Sequence, residues 1–442
     1  MRNLAAISMS VAMALGLGVQ LGGCKGEGGG KGGSGGGQGG GGEAGGGGGA
    51  AAGGGGGAAA GGGATSGTIK IVSSLPHTGS SNAVSGAMRD GIQLALAEAG
   101  NKAGPFTIVY ESMDDASAKK GDWDPEVEAA NADKAVKDPD VMVYIGTYNS
   151  GAAKISMPVL NRAGLVMISP ANSYPGLTKP GLGEANEPDI YRPSGKISFF
   201  RVVPADDLQG AMGARWMKHM GAKKVYVLDS RDLYGRGIAD VFSQTAEDLG
   251  LQVVGHEGID PKAQEYKSLM TKIKALKPDF VYFGGTTATN PGQVAKDMVA
   301  VGLDAKLMVP DGCFDTAFIT AAGAANINDR AFVTFGGVPP DKLTGLGAKF
   351  VKAYNDKYHK MPEAYGVYGY VAAQVALAAI EKAGTKDREA IRAAVQAYKA
   401  EDSALGPFSF DENGDTTMTR MSGNAVKGGK FEFQQLLSKD MQ

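Results

Sequence analysis

The chain has 442 residues, with 44 Lys and Arg against 46 Asp and Glu for a formal net charge of −2. It shows no basic stripe interleaved with aromatics, which sets aside a nucleic-acid partner. Its two cysteines, Cys24 and Cys313, stand in unrelated contexts and its four histidines show no ligand spacing, so neither a disulfide framework nor a metal site is supported, and no cofactor is expected.

Met1-Arg2 is a short positive region, Leu4–Leu21 is small and apolar, and Leu21-Gly22-Gly23-Cys24 ends it, which reads as an export signal over residues 1–23. The apolar run is short for a membrane span, and no later run approaches the ~20 residues one needs. Leu-Gly-Gly-Cys also resembles a bacterial lipobox, which would make Cys24 the lipid-modified first residue of the mature protein; a plain secretory signal with an incidental cysteine is the other reading. Residues 24–67 are almost entirely Gly and Ala, too poor in apolar side chains to fold. Such a tether reaches roughly 35–40 Å and would hold a globular body off a bilayer. The expected location is therefore extracytoplasmic, periplasmic or cell-surface, with the membrane met only through the lipid.

Roughly 370 residues remain, enough for about two domains. From Thr68 strands and helices alternate: strand Ile69–Ser74, a helix through Val84, Met88, Ile92 and Ala95, strand Phe106–Glu111, helix Glu126–Val136 and strand Val141–Ile145. This βαβ series predicts a parallel sheet covered by helices on both faces. The insertion-like loop Lys119–Pro125 interrupts it, and Trp123 there reads as a local packing plug. A second series follows from strand Lys223–Leu228 through Leu307–Val309 and Ala331–Phe335, then three helical segments, Gly347–Tyr358, Tyr365–Ala383 and Lys386–Ala400. Short strands around Phe408–Phe410 and Lys430–Phe433 close the chain.

Residues 144–175 draw the most attention. Strand Val141–Ile145 runs into the turn Gly146–Gly151 and a helix over Ala152–Ala163, and the next strand, Leu165–Ile168, stops at Ser169-Pro170-Ala171-Asn172-Ser173. Loops at the carboxyl ends of parallel strands form the ligand crevice, so both hydroxyl-bearing turns would open on one cleft. The first also leads into a helix, whose free N–H groups suit a carboxylate. Ser150 and Ser173 could equally be ordinary turn and cap residues. Walker, GxSxG and HExxH motifs are absent, and of the acidic pairs Asp114-Asp115 would point apart on a strand while Asp206-Asp207 would sit as solvated caps at a helix start, so an enzyme is not expected.

Several of these stretches occur together in a known family. Tyr144-Ile-Gly-Thr-Tyr-Asn-Ser150, Ile168-Ser-Pro-Ala-Asn-Ser173, Asp189-Ile-Tyr-Arg-Pro193, Phe200-Arg-Val-Val-Pro-Ala-Asp206, Tyr234-Gly235, Asp279-Phe-Val-Tyr-Phe-Gly-Gly285 and Gly406-Pro-Phe-Ser-Phe-Asp-Glu-Asn-Gly414 resemble the type I periplasmic binding proteins, in the branched-chain amino-acid branch of the ABC transporters. The resemblance implies an α/β fold of two doubly wound parallel-sheet lobes joined by a three-strand hinge near Pro204, Gly337 and Thr417. Lobe 1 would take residues 68–204 plus 338–417, and lobe 2 residues 205–337 plus 418–442. It further implies a monomer that closes over one amino acid and delivers it to ABC permease subunits. The ligand-holding positions carry over as Tyr148, Ser150, Ala171 and Ser173 from lobe 1, and Tyr234, Thr286 and Asp311 from lobe 2. Asp311 stands where better-known members have a glutamate and Thr286 where they have an aromatic, while the lobe 1 aromatic near Asn82 is missing, so the pocket widens. Cys313 would then be a small buried hydrophobe beside the site. A sensor for an amide or a small organic acid, docking on a signalling receptor, is the alternative the resemblance leaves open.

Overall fold

The computed structural model describes residues 64–441; the stretch read as an export signal over 1–23, Cys24 with its expected lipid, and nearly all of the expected tether lie outside the described residues. The body takes in the end of the stretch assigned to the tether, because Ala64 bridges to Lys386 and the first strand opens at Gly67.

Two sheets organise the described residues. The first has the spatial order Lys102–Ala103, Phe106–Asp114, Gly67–Leu75, Val141–Gly146, Val166–Ser169 and Phe199–Arg201, parallel except at the Lys102–Ala103 edge. The second runs Gln252–Gly258, Lys224–Asp229, Phe280–Gly284, Lys306–Val309, Ala331–Gly336, Met421–Lys427 and Lys430–Leu437. Its first five strands are parallel, as the βαβ series implies, and the last two add an antiparallel edge. Strand Met421–Lys427 was not expected at all. Met421–Val426 are buried despite their small polar residues, because this is an interior strand, in which Asn424 Nδ2 donates to Ser422 Oγ at 3.1 Å and to Val333 O at 3.4 Å.

Strands covered on both faces need continuous apolar runs, and Val141–Gly146 and Phe280–Gly284 are buried along their whole length. The covering helices are amphipathic: Ser150–Arg162 turns Ala152, Ala153, Ser156, Met157 and Leu160 inward at three- and four-residue spacing. Helices Leu346–Tyr358, Gly366–Ala383 and Arg388–Gln396 return to the first sheet, packing on helix Asn82–Glu98 and on its strands. The chain thus passes between the sheets three times, around 202–205, 337–345 and 410–420. The passages touch, since Gly337 N donates to Arg420 O at 2.8 Å and Arg201 pairs with Asp415. This is the two-lobed α/β architecture joined by a three-strand hinge.

Candidate ligand-binding site

The turns 146–151 and 169–174 stand at the carboxyl ends of neighbouring parallel strands, and side chains lock them to each other. Asn172 Oδ1 accepts from Thr147 N at 3.1 Å while its Nδ2 donates to Tyr148 O at 3.1 Å. Ser169 Oγ accepts from Ala171 N at 3.2 Å and from Asn172 N at 2.8 Å. Beneath them Arg201, 0% exposed, donates to the carbonyls of Asn172 at 3.2 Å and Tyr174 at 2.9 Å, to the Thr178 hydroxyl, and to Asp415 Oδ1 at 2.7 Å. The loop carbonyls are thereby consumed. What remains for a ligand on this wall is the first turn of helix Ser150–Arg162, whose leading N–H groups have no intrahelical acceptor, together with the Ser150 and Ser173 hydroxyls.

The opposite wall is built by close contact of a helix start with a strand end. Asp232 caps helix Leu233–Asp248 by accepting from Gly235 N at 2.9 Å, which puts Tyr234 in the first turn. Gly235 and Gly284 touch through their backbones: a Cβ on Gly284 would lie 2.3 Å from Gly235 O. Tyr234 OH donates to Asp311 Oδ1 at 2.7 Å, and Tyr365 OH donates to Asp311 Oδ2. Because Tyr365 leads the helix Gly366–Ala383 that packs on the first sheet, this second bond ties the lobes together. Burial raises the Asp311 carboxyl, and the Tyr365 and Tyr234 hydroxyls pull it back. Burial also raises the phenols of Tyr148, Tyr234 and Tyr365 well above their ordinary value, so they act as neutral hydroxyls.

Between the walls lies a cavity of ≈ 190 Å³. At about 30 Å³ of liquid per water that is roughly six waters, the scale of one small metabolite. Tyr148, Ser150, Ala171, Ser173, Tyr234 and Thr286 all line it. Asp311 does not: its carboxylate sits one layer back, reaching the cavity through the two tyrosines that hold it. Cys313 is 0% exposed with Sγ 3.4 Å from Gly285 O, and burial keeps it a thiol.

A family model described as periplasmic binding protein matches residues 68–430. The chain belongs to the periplasmic binding protein family. The Leu/Ile/Val-binding protein BraC3 of Rhizobium johnstonii is 29% identical over 364 residues, 80% of this chain and 91% of that protein. The Leu/Ile/Val-binding protein homolog 1 of Brucella abortus is 30% identical over 346 residues, 77% of this chain and 85% of that protein. Among solved structures, the leucine-binding protein LivK of Thermotoga maritima superposes with a TM-score of 0.74 at 26% identity, covering 84% of this chain and 99% of that one.

Trp123 and Asp206 of this binding protein differ from their sequence reading. Trp123 is more than a local packing plug: it packs on Gly151, where a Cβ would lie 2.6 Å from its Cζ2, but it also lines the cavity, so it gives lobe 1 the aromatic that is missing near Asn82. Asp206 is 0% exposed rather than a solvated cap, and burial, then the charge of Asp311, raises it well above the usual carboxylate range. Its neighbour Asp207 does face solvent and pairs with Lys179 Nζ at 2.7 Å. Asp115 is likewise 0% exposed, raised by burial and then by Glu128. Three further lining residues, Asp122, Asn149 and Tyr365, were not singled out in sequence. The aromatic cluster Tyr365-Gly-Val-Tyr-Gly-Tyr370 at a helix start was the one available signal for Tyr365.

Proposed function

We propose that this chain is an extracytoplasmic solute-binding protein that captures an amino acid, of the branched-chain type or a relative of it, and delivers it to an ABC permease while a lipid on Cys24 holds it at a membrane. The observation that carries this reading is the cavity itself: amino-acid-sized, closed by both lobes, with a donor-rich turn on one wall and tyrosines backed by a carboxylate on the other. A ligand carboxylate would meet the start of helix Ser150–Arg162 with the Ser150 and Ser173 hydroxyls and the Ala171 backbone, where the helix dipole favours negative charge. The ligand ammonium would face Tyr234 and Thr286, within the field of Asp311. The names of the relatives above support the substrate class. Capture requires no bond to be made or broken, so the protein is not an enzyme on this reading. The lobes would be residues 68–204 plus 338–417 and 205–337 plus 418–442, hinged at the three passages, and the Tyr365–Asp311 bond would form as they close.

X-ray scattering of the full chain with and without a saturating panel of amino acids tests the reading. A bound member of the panel lowers the radius of gyration by hinge closure and raises the melting temperature, with about 2.7 kcal/mol of stabilisation at a hundredfold excess over Kd. Tight binding with an unchanged scattering curve would count against the clamp. The anchor is tested separately, since Cys24→Ser should leave the membrane fraction with its binding intact.

A further inference from the structure

Two acceptor atoms of the cavity lining, one on Asp122 and one on Asn149, have no hydrogen-bond partner among the described residues. Both atoms, Asp122 Oδ1 and Asn149 Oδ1, are shut off from solvent. An acceptor in that condition is unfavourable, and where it faces a binding cavity the missing donor belongs to the ligand. The other carboxylate in the lining is already engaged: Asp232 accepts from Gly235 N and from Ser230 Oγ. Among the described residues no Lys, Arg or His lines the cavity to answer Asp122.

Asp122 is also held firmly in place. It lies in a two-stranded ladder, Ser117 opposite Asp122 and Ala116 opposite Trp123. The hairpin is fixed to the next helix by Asp124, which accepts from Ser117 Oγ at 2.6 Å and from Glu126 N at 3.0 Å. Behind it, the approach of Gly121 to Gly79 leaves no room for a side chain at 79. Burial raises the Asp122 carboxyl, while the Ser81 hydroxyl and the Trp123 N–H draw it down. The charge therefore sits on a preorganised strand rather than a loose loop, the condition for a specificity contact.

We infer that Asp122, assisted by Asn149, selects amino acids whose side chain carries a nitrogen donor, a carboxamide or a cationic amine, over those with a purely aliphatic side chain. This rests on the amino-acid-binding reading above and narrows its ligand. An aliphatic side chain would leave both oxygens unpaired in a closed, dry cavity, and a site built to meet a donor rejects the analogue lacking one far more strongly than it rejects a change of one methylene.

Calorimetry with leucine, glutamine and ornithine, on the full chain freed of co-purified solute, tests the assignment. The wild type should bind glutamine or ornithine more than about tenfold tighter than leucine, the range a hydrogen bond to a charged group supplies. Asp122→Ala should abolish that preference by weakening glutamine and ornithine while tightening leucine, and Asp122→Asn should weaken ornithine more than glutamine. Asn149→Ala, away from the hairpin, should lower the same preference and covers the case in which the Asp122 variants fail to fold. Leucine binding tightest to the wild type would overturn the inference and leave the amino-acid reading standing. An equal loss for all three ligands in Asp122→Ala would overturn it too, by placing Asp122 on the α-ammonium. No binding of any member would overturn both.

Discussion

The two walls of the cavity are polar in different ways. In the wall built from 146–151 and 169–174, side chains are spent on backbone: Asn172, Ser169 and Arg201 absorb the loop carbonyls and N–H groups, leaving a helix start and two hydroxyls as the working surface. In the opposite wall a side chain is spent on side chains, as Asp311 gives one oxygen to Tyr234 and the other to Tyr365. One wall is a set of donors within a single lobe, whereas the other includes a hydroxyl from across the cleft and, on the proposed reading, would be completed as the lobes close. Rigidity on the first side and contingency on the second are what a closing clamp needs, because a ligand can dock on a finished surface before the second surface is assembled.

That contrast can be broken most severely at Arg201. Arg201→Ala would leave Asp415 with Lys179 Nζ at 3.6 Å as its remaining cation and two loop carbonyls buried without their donor, and should cost about 3–5 kcal/mol of folding stability in chemical denaturation. A loss under about 1 kcal/mol would mean the first wall does not depend on this centre. Beneath the same wall, buried Glu128 accepts from Ser74 Oγ at 2.5 Å and Tyr144 OH at 2.8 Å, and burial raises its pKa from 4.5 to about 7. Between those two values the folded state holds a proton that the unfolded chain releases, so its contribution is full below pH 4.5 and fades as pH rises through 7. Glu128→Gln should therefore remove up to about 3 kcal/mol of the stability lost between pH 5 and pH 7.5, read by denaturation at the two pH values. Equal slopes for parent and variant would contradict it.

The second wall is probed at Asp311. Asp311→Asn keeps the shape but presents an amide N–H where one tyrosine hydroxyl needs an acceptor, so ligand affinity should fall by about 1–3 kcal/mol and the ligand-induced compaction should shrink. Ser150→Ala removes one donor of several from a wall that is otherwise intact, and should cost affinity at the lower end of that range, about 1 kcal/mol, with compaction unchanged. If the two variants affected compaction alike, the distinction between a finished wall and a contingent one would fail.

How much of this could be read from the chain follows from the range of the forces involved. The strand Val141–Gly146, the helix Ser150–Arg162 and the paired turns are encoded by local periodicity and capping, and their placement in one cleft by the rule for parallel sheets. Asp206, Asp122 and Trp123 were misread or missed for one reason, that burial is a property of the assembled body. Asp206 opens a helix, where a carboxylate is normally solvated, and here the first turn faces the interlobe core. Trp123 and Asp122 belong to an insertion whose two-residue strands carry no periodic signal, and only the fold brings Trp123 against Gly151 and both residues into the cavity lining. Asp311 was placed correctly on its loop, but the two tyrosines that screen it from the cavity come from positions 77 and 54 residues away. Strand Met421–Lys427 was hidden because small polar residues serve in an interior strand when Asn424 finds a partner there.

The account rests on an amino acid binding between these two walls. Isothermal titration of amino acids into the full chain, repeated on a variant carrying both Ser150→Ala and Tyr234→Ala, addresses that claim directly. One molecule per chain should bind the parent, and the double variant should lose more than about a hundredfold in affinity while retaining its cooperative melt. Undiminished binding by the double variant, or no binding by the parent, would contradict it.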